Sequence, residues 1–178
     1  GIPGAGGVMR DMGTIGGNSA YALGIGATGQ VAGWGFTTGN AAYHAFRYDG
    51  TPGAGGVMRD LGTLGGFVSE GRGINASGHI TGFSFTAGFV QHAFFWDGAI
   101  MHDLGTLGGQ KSFGNGINDR GIIVGTSDVD QTTLTQDGLP ITVGGASQLA
   151  TMFDEDAAAL PGPALLLAGG DNVGASPP

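Results

Sequence analysis

Cysteine is absent from this chain of 178 residues, so neither a disulfide nor a thiolate metal site holds it together. Charge is scarce as well, at 11% of residues, and positive charge scarcest of all: Arg10, Arg47, Arg59, Arg72, Lys111 and Arg120 stand singly along the chain. Against 14 acidic residues they leave a formal net charge of −8. Nucleic acid is thereby excluded as a partner, because phosphate binding needs clustered Lys and Arg. No apolar run reaches the roughly 18 residues of a bilayer-spanning helix. The first residues do not read as a signal peptide, which leaves earlier removal, or excision from a longer chain, open.

What the chain has in excess is glycine, 40 residues of it, without the Gly-X-Y period of collagen. The glycines mark an internal repeat. Asp11-Met-Gly-Thr-Ile-Gly-Gly17 returns at Asp60 to Gly66 and Asp103 to Gly109 as Asp-Leu-Gly-Thr-Leu-Gly-Gly. Thirteen residues after each of these aspartates a second element begins: Gly24-Ile-Gly-Ala-Thr-Gly-Gln-Val-Ala-Gly33, Gly73-Ile-Asn-Ala-Ser-Gly-His-Ile-Thr-Gly82 and Gly116-Ile-Asn-Asp-Arg-Gly-Ile-Ile-Val-Gly125. A third element, His44-Ala-Phe-Arg-Tyr-Asp-Gly50, returns as His92-Ala-Phe-Phe-Trp-Asp-Gly98, with a faded echo at Leu149 to Asp154.

Each element reads as strand. Asn75-Ala-Ser-Gly78 and Asn118-Asp-Arg-Gly121 have the chemistry of a type I turn followed by glycine in the left-handed region, which joins two short antiparallel strands. Ala27-Thr-Gly29 reads as a shorter variant. His92 to Trp96 is β-prone and is closed by Asp97-Gly98. The expectation is an all-β chain of tandem four-stranded antiparallel units, 43 to 49 residues each, forming a β-propeller-like sector. A linear stack of small sheets is the alternative.

In this organisation residues 1–17 are an orphan closing strand, since Gly1 to Asp11 nearly copies Gly50 to Asp60. Residues 18–66 and 67–109 are units 1 and 2. Residues 110–170 are a degenerate third unit with an insertion, in which Ala159 to Gly170 stands for the closing strand. Residues 171–178 read as a disordered tail.

His44-Ala-Phe46, His92-Ala-Phe94, the three Asp-(Leu/Met)-Gly-Thr-(Leu/Ile)-Gly-Gly segments and the Gly-Ile-Asn turns at 73 and 116 resemble the bacterial extracellular repeat group named for its His-Ala-Phe motif, the HAF repeats. The resemblance covers roughly residues 7 to 127. It implies a secreted or cell-surface protein and brings no catalytic residues with it. The chain departs from the pattern at Gly24-Ile-Gly26, where the asparagine is missing, and after Asp128.

The residue types give chemistry little purchase. His44 and His92 are strand residues expected to be satisfied by backbone carbonyls, although a ring of such histidines would suit a metal. Asp11, Asp60 and Asp103 are expected to accept backbone N–H groups at turns. Gly78 and Gly121 are expected at positive φ. Asp128, Asp130 and Asp137 are weak calcium candidates, lacking the glycine and glutamate of an EF-hand loop; no other metal or cofactor is expected. Trp34, Trp96, Phe46 and Phe94 read as core between units. His79 and His102 read as exposed. The function expected is a non-enzymatic binding or adhesion module at the cell surface or beyond it, with a carbohydrate or protein ligand. The alternative is a subunit that polymerises into a fibre by head-to-tail contact or strand exchange. A part of a propeller enzyme with its site in missing blades is the third reading.

Overall fold

The computed structural model of the chain describes residues 7–129 and the backbone of three later strands, 134–136, 139–141 and 165–169. Among these residues there is no helix. Unit 1 comprises β1 (Gly16–Ile25), β2 (Val31–Thr37), β3 (Tyr43–Asp49) and β4 (Val57–Asp60); unit 2 comprises β5 (Gly65–Ile74), β6 (Ile80–Thr86), β7 (Gln91–Trp96) and β8 (Met101–Asp103). Unit 3 opens with β9 (Gly108–Ile117) and β10 (Ile123–Val129). Within units 1 and 2 every neighbouring pair is antiparallel, as are β9 and β10. The protein is therefore all-β, built from tandem four-stranded antiparallel units.

The units are more closely joined than propeller blades. β3 meets β5 at Tyr43 and Val68, and β7 meets β9 at Gln91 and Lys111, both in parallel. These bridges merge the units into one open, mixed, eleven-stranded sheet, an open sector with no ring closure among the described residues. In unit 3 the place beside the central strand is taken by β13 (Leu165–Gly169), parallel to β10, whereas units 1 and 2 put the antiparallel His-Ala-Phe strand there. Thus part of the stretch expected as a closing strand occupies the third-strand position. β11 (Leu134–Gln136) and β12 (Leu139–Ile141) form a separate antiparallel pair. Residues 1–6, the echo at Leu149 to Asp154, Ala159 and the tail 171–178 lie outside the described residues.

The expected closing strand at the N-terminus is not formed over residues 7–14. Met9 is 99% exposed, and Val8 is exposed beside it. Val57–Asp60, with the same sequence, is a strand because β3 lies alongside it, pairing Phe46 with Asp60 through to Asp49 with Val57. The described residues before Gly16 have no such neighbour. An edge strand needs an edge to join, and local sequence does not replace one.

The central turns share one backbone. Gly29, Gly78 and Gly121 donate their N–H to the carbonyls of Gly26, Asn75 and Asn118 at 3.0 Å. All three adopt positive φ, from 77° to 84°. The turn at 26–29 is thus the same length as the others. Asn75 and Asn118 each fold the side-chain carbonyl back onto two N–H groups of their own turn. Gly82 answers a different need. It faces a bulge in β5 between Gly71 and Gly73, and a β-carbon there would collide with the Glu70 carbonyl and lie 3.0 Å from the Phe94 ring.

The core lies between the units. Ala32 and Ala45 of unit 1 pack with Ile80, Phe94 and Trp96 of unit 2. Two buried serines fasten this seam. Ser69 accepts the Ala45 N–H at 2.8 Å and donates to the Gly62 carbonyl at 2.5 Å, both in the preceding unit. Ser112 treats Ala93 and Gly105 in the same way. Arg72 lies 5.1 Å from Phe83 and 5.2 Å from Phe113, and donates to Asn115 at 2.9 Å. Asn75 reaches across the seam to the Asn118 carbonyl.

Two outcomes follow for thermal unfolding. Gly78→Ala is expected to lower stability by roughly 1 kcal/mol or more through its φ, and by more than Gly29→Ala, whose β-carbon meets open space while that of Gly78 crowds Gln30 and Arg47. Ser69→Ala is expected to lower it by about 1 to 3 kcal/mol, since an N–H and a carbonyl lose their partner in a buried seam. Equal melting temperatures for Gly78→Ala, Ser69→Ala and the unaltered chain would contradict both assignments.

Candidate functional site

The two named motifs of the repeat meet in space. His44 Nδ1 lies 2.9 and 3.0 Å from the two carboxylate oxygens of Asp60, and His92 Nδ1 lies at the same distances from Asp103. The expected backbone carbonyl is thus replaced by a carboxylate from the closing strand's end. Asp60 and Asp103 also accept the N–H of Gly62 and Gly105 at 2.8 Å, and Asp11 accepts that of Gly13 at 2.8 Å. The expected Asp-x-Gly turn is therefore present in all three copies. Burial pushes the Asp60 carboxyl upward, but the His44 hydrogen bond, the Gly62 N–H and the imidazole charge outweigh it and hold the pKa below its usual value. The pairs tie β3 to β4 and β7 to β8, and thus act within a unit.

A second pair of positions sets the units apart. In unit 1 the Asn18 N–H donates to the Asn40 side chain at 2.9 Å, across the tip of the sheet. The same positions in unit 2 hold Phe67 and Phe89, whose rings are 5.9 Å apart. Phe67 also stacks on Phe85 at 5.7 Å. Phe67 is 50% exposed and Phe89 69%. Phe89 sits at φ 59°, where Asn40 sits at 57°. Each donates its N–H to a threonine carbonyl three residues back, Thr37 or Thr86, as the left-handed glycines do in the central turns. Asparagine accepts this conformation readily, whereas a bulky side chain pays roughly 1–2 kcal/mol for it. Unit 2 thus holds a cluster of exposed phenylalanines on a strained loop, where unit 1 holds a polar clasp.

Other sequence candidates are placed as follows. Trp96, Phe46 and Phe94 are buried as expected, but Trp34 is only half-buried and stacks on the exposed Tyr21 at 4.3 Å. His102 is exposed and paired with Asp97 at 2.7 Å; His79 is half-buried with its ring edge-on to Phe95. The Asp97 carboxyl is held well below its usual range by the His102 hydrogen bond and by the N–H groups of Ile100 and Ala99. Asp128 is exposed, while Asp130 and Asp137 lie outside the described residues. No group of three or more His, Asp or Glu side chains is placed to hold a metal ion among the described residues. The serine fasteners and the phenylalanine tip escaped the sequence reading. Ser69 and Ser112, like Ser84 and Ser127, stand one repeat apart, and that spacing is the signal that would have found them.

The His44–Asp60 pair makes stability sensitive to acid. A carboxyl whose folded pKa is lowered contributes stability that is fully present above its unfolded value of about 3.9 and is lost as pH falls through the folded value. Urea midpoints measured between pH 7 and pH 2.5 are expected to fall below about pH 4, and Asp60→Asn to flatten that slope. His44→Ala is expected to lower stability at neutral pH by on the order of 1 kcal/mol. A pH profile unchanged by Asp60→Asn would refute the pairing. The chain matches no family model, no curated protein and no solved structure.

Proposed function

We propose that the chain is a secreted or cell-surface binding or adhesion module without enzymatic activity, in which recurring residues build the scaffold and differing residues at the tips meet the ligand. One observation carries this reading. Asn18 and Asn40 clasp each other in unit 1, whereas their counterparts Phe67 and Phe89 stand exposed and in contact in unit 2. The scaffold has no need of phenylalanine there, since the same loop closes with asparagine. Exposed aromatic clusters mark interaction sites, and backbone strain at an exposed tip is a common accompaniment of function. The recurring His, Asp, Ser and Asn side chains are engaged in joining strands and units. The resemblance to the His-Ala-Phe repeat group supports the extracellular setting. The ligand class is carbohydrate or protein.

The test exchanges one tip for the other. Phe67→Asn/Phe89→Asn, which installs the unit 1 residues, is to be compared with the unaltered chain on panels of immobilised polysaccharides and extracellular proteins. Every binding signal given by the unaltered chain is expected to fall at least tenfold in the variant. Phe89→Asn alone is expected to raise stability by about 1 kcal/mol, because the left-handed conformation is relieved. Equal binding by the double variant would remove the phenylalanine tip from the reading.

A further inference from the structure

The seam between units 1 and 2 and that between units 2 and 3 follow one geometry. At each, a glycine in the first strand of one unit receives the first strand of the next. A β-carbon on Gly24 would lie 2.9 Å from the Arg72 carbonyl oxygen and 3.5 Å from the Ile74 side chain; one on Gly73 would lie 2.9 Å from Gly116 and 3.1 Å from the Ile117 N. Beside this crossing, the central strand of the earlier unit buries Ala32 in the first seam and Thr81 in the second, both at 0% exposure.

Among the described residues, both halves of this seam are uncovered, one on unit 1 and the other on unit 3. On unit 1, Ile25 is 75% exposed, whereas its counterpart Ile74 packs against the core cluster. Tyr21 and Leu23 on the same strand are exposed with it. On unit 3, Val124 holds the position of Ala32 and Thr81 yet is 51% exposed. Among the described residues, a β-carbon on Gly116 would meet only the side chain of Val124, in its own unit. The described units therefore present a projecting isoleucine on unit 1 and an open glycine seat on unit 3.

We infer that a second copy of this chain docks head to tail, with β1 of one copy crossing Gly116 and Val124 of the other as β5 crosses Gly24 and Ala32. The inference rests on reading the units as a stacking scaffold, and its support is the continuity of this surface with a seam that the chain already uses twice. The Asn118 side chain would donate to the Gly26 carbonyl of the second copy, as Asn75 donates to that of Asn118. The joint would lack the serine fastener of both internal seams, because Ala20 stands where Ser69 and Ser112 stand, and on the receiving side Asn115 stands where Arg72 reaches across the second seam. It is thus a reversible contact, weaker than the internal ones. The two faces differ, so the contact is heterologous and propagates.

The experiment is light scattering behind a sizing column over a range of concentrations, with Ile25→Asp and Val124→Asp, each checked for folding by circular dichroism. The unaltered chain is expected to grow beyond 17.6 kDa as concentration rises, and each variant alone to stay monomeric. Mixed in equal amounts, the variants are expected to give a species of about twice the monomer mass and nothing larger, because one intact face of each kind remains. A monomeric unaltered chain, association by either variant alone, or no dimer in the mixture would overturn the inference. Phe67→Asn/Phe89→Asn is expected to assemble like the unaltered chain, which separates failure of the assembly from failure of the binding reading.

Discussion

Successive units in this protein touch backbone to backbone. At Gly24 and Gly73 the next unit's first strand comes so close that no side chain fits between them, and the remaining seam contacts require this approach. Ser69 and Ser112 are short side chains, and they reach the amide of Ala45 or Ala93 because the crossing strand is held near it. The parallel bridges at Tyr43 and Gln91 need the same proximity. A chain with 40 glycines is often read as flexible. Here glycine at the seams removes bulk, and the result is a shared core between units, with Ala32 and Ala45 lying under Ile80 and Phe94.

The sequence disclosed what is local. The Asn-x-x-Gly turns and the Asp-x-Gly turns each involve residues two to four apart, and each was legible from residue type, as was their recurrence along the chain. The His44–Asp60 and His92–Asp103 pairs were not, because the intervening loops differ and the partners stand 16 residues apart in one unit and 11 in the other. The phenylalanine tip joins positions 67 and 89, distant in sequence, and it stands out only beside the asparagine clasp at 18 and 40. The N-terminal segment marks the limit of local reading: Val-Met-Arg-Asp at 8–11 and at 57–60 is one sequence with two outcomes, separated by whether a neighbouring strand is present.

Units 1 and 2 also divide stability and exposure differently. Unit 1 places an asparagine at its left-handed tip and clasps it to a second asparagine, a solution that satisfies the backbone and hides nothing apolar. Unit 2 accepts strain and exposed aromatic surface at the same place. This difference at the tips leaves the scaffold's register unaltered: the Gly82 to Phe94 pairing matches that of Gly33 to Phe46.

The serine fasteners have a consequence for the order in which the molecule is built. The hydroxyl that satisfies the Ala45 amide and the Gly62 carbonyl belongs to Ser69, in the following unit. Neither unit 1 nor unit 2 completes its own hydrogen bonding until the first strand of the following unit has emerged. During synthesis the folded boundary therefore trails the growing chain by at least one strand, and it advances from the N-terminus in unit-sized steps as each new serine arrives. Such a chain zips along its length, each seam closing on the one before.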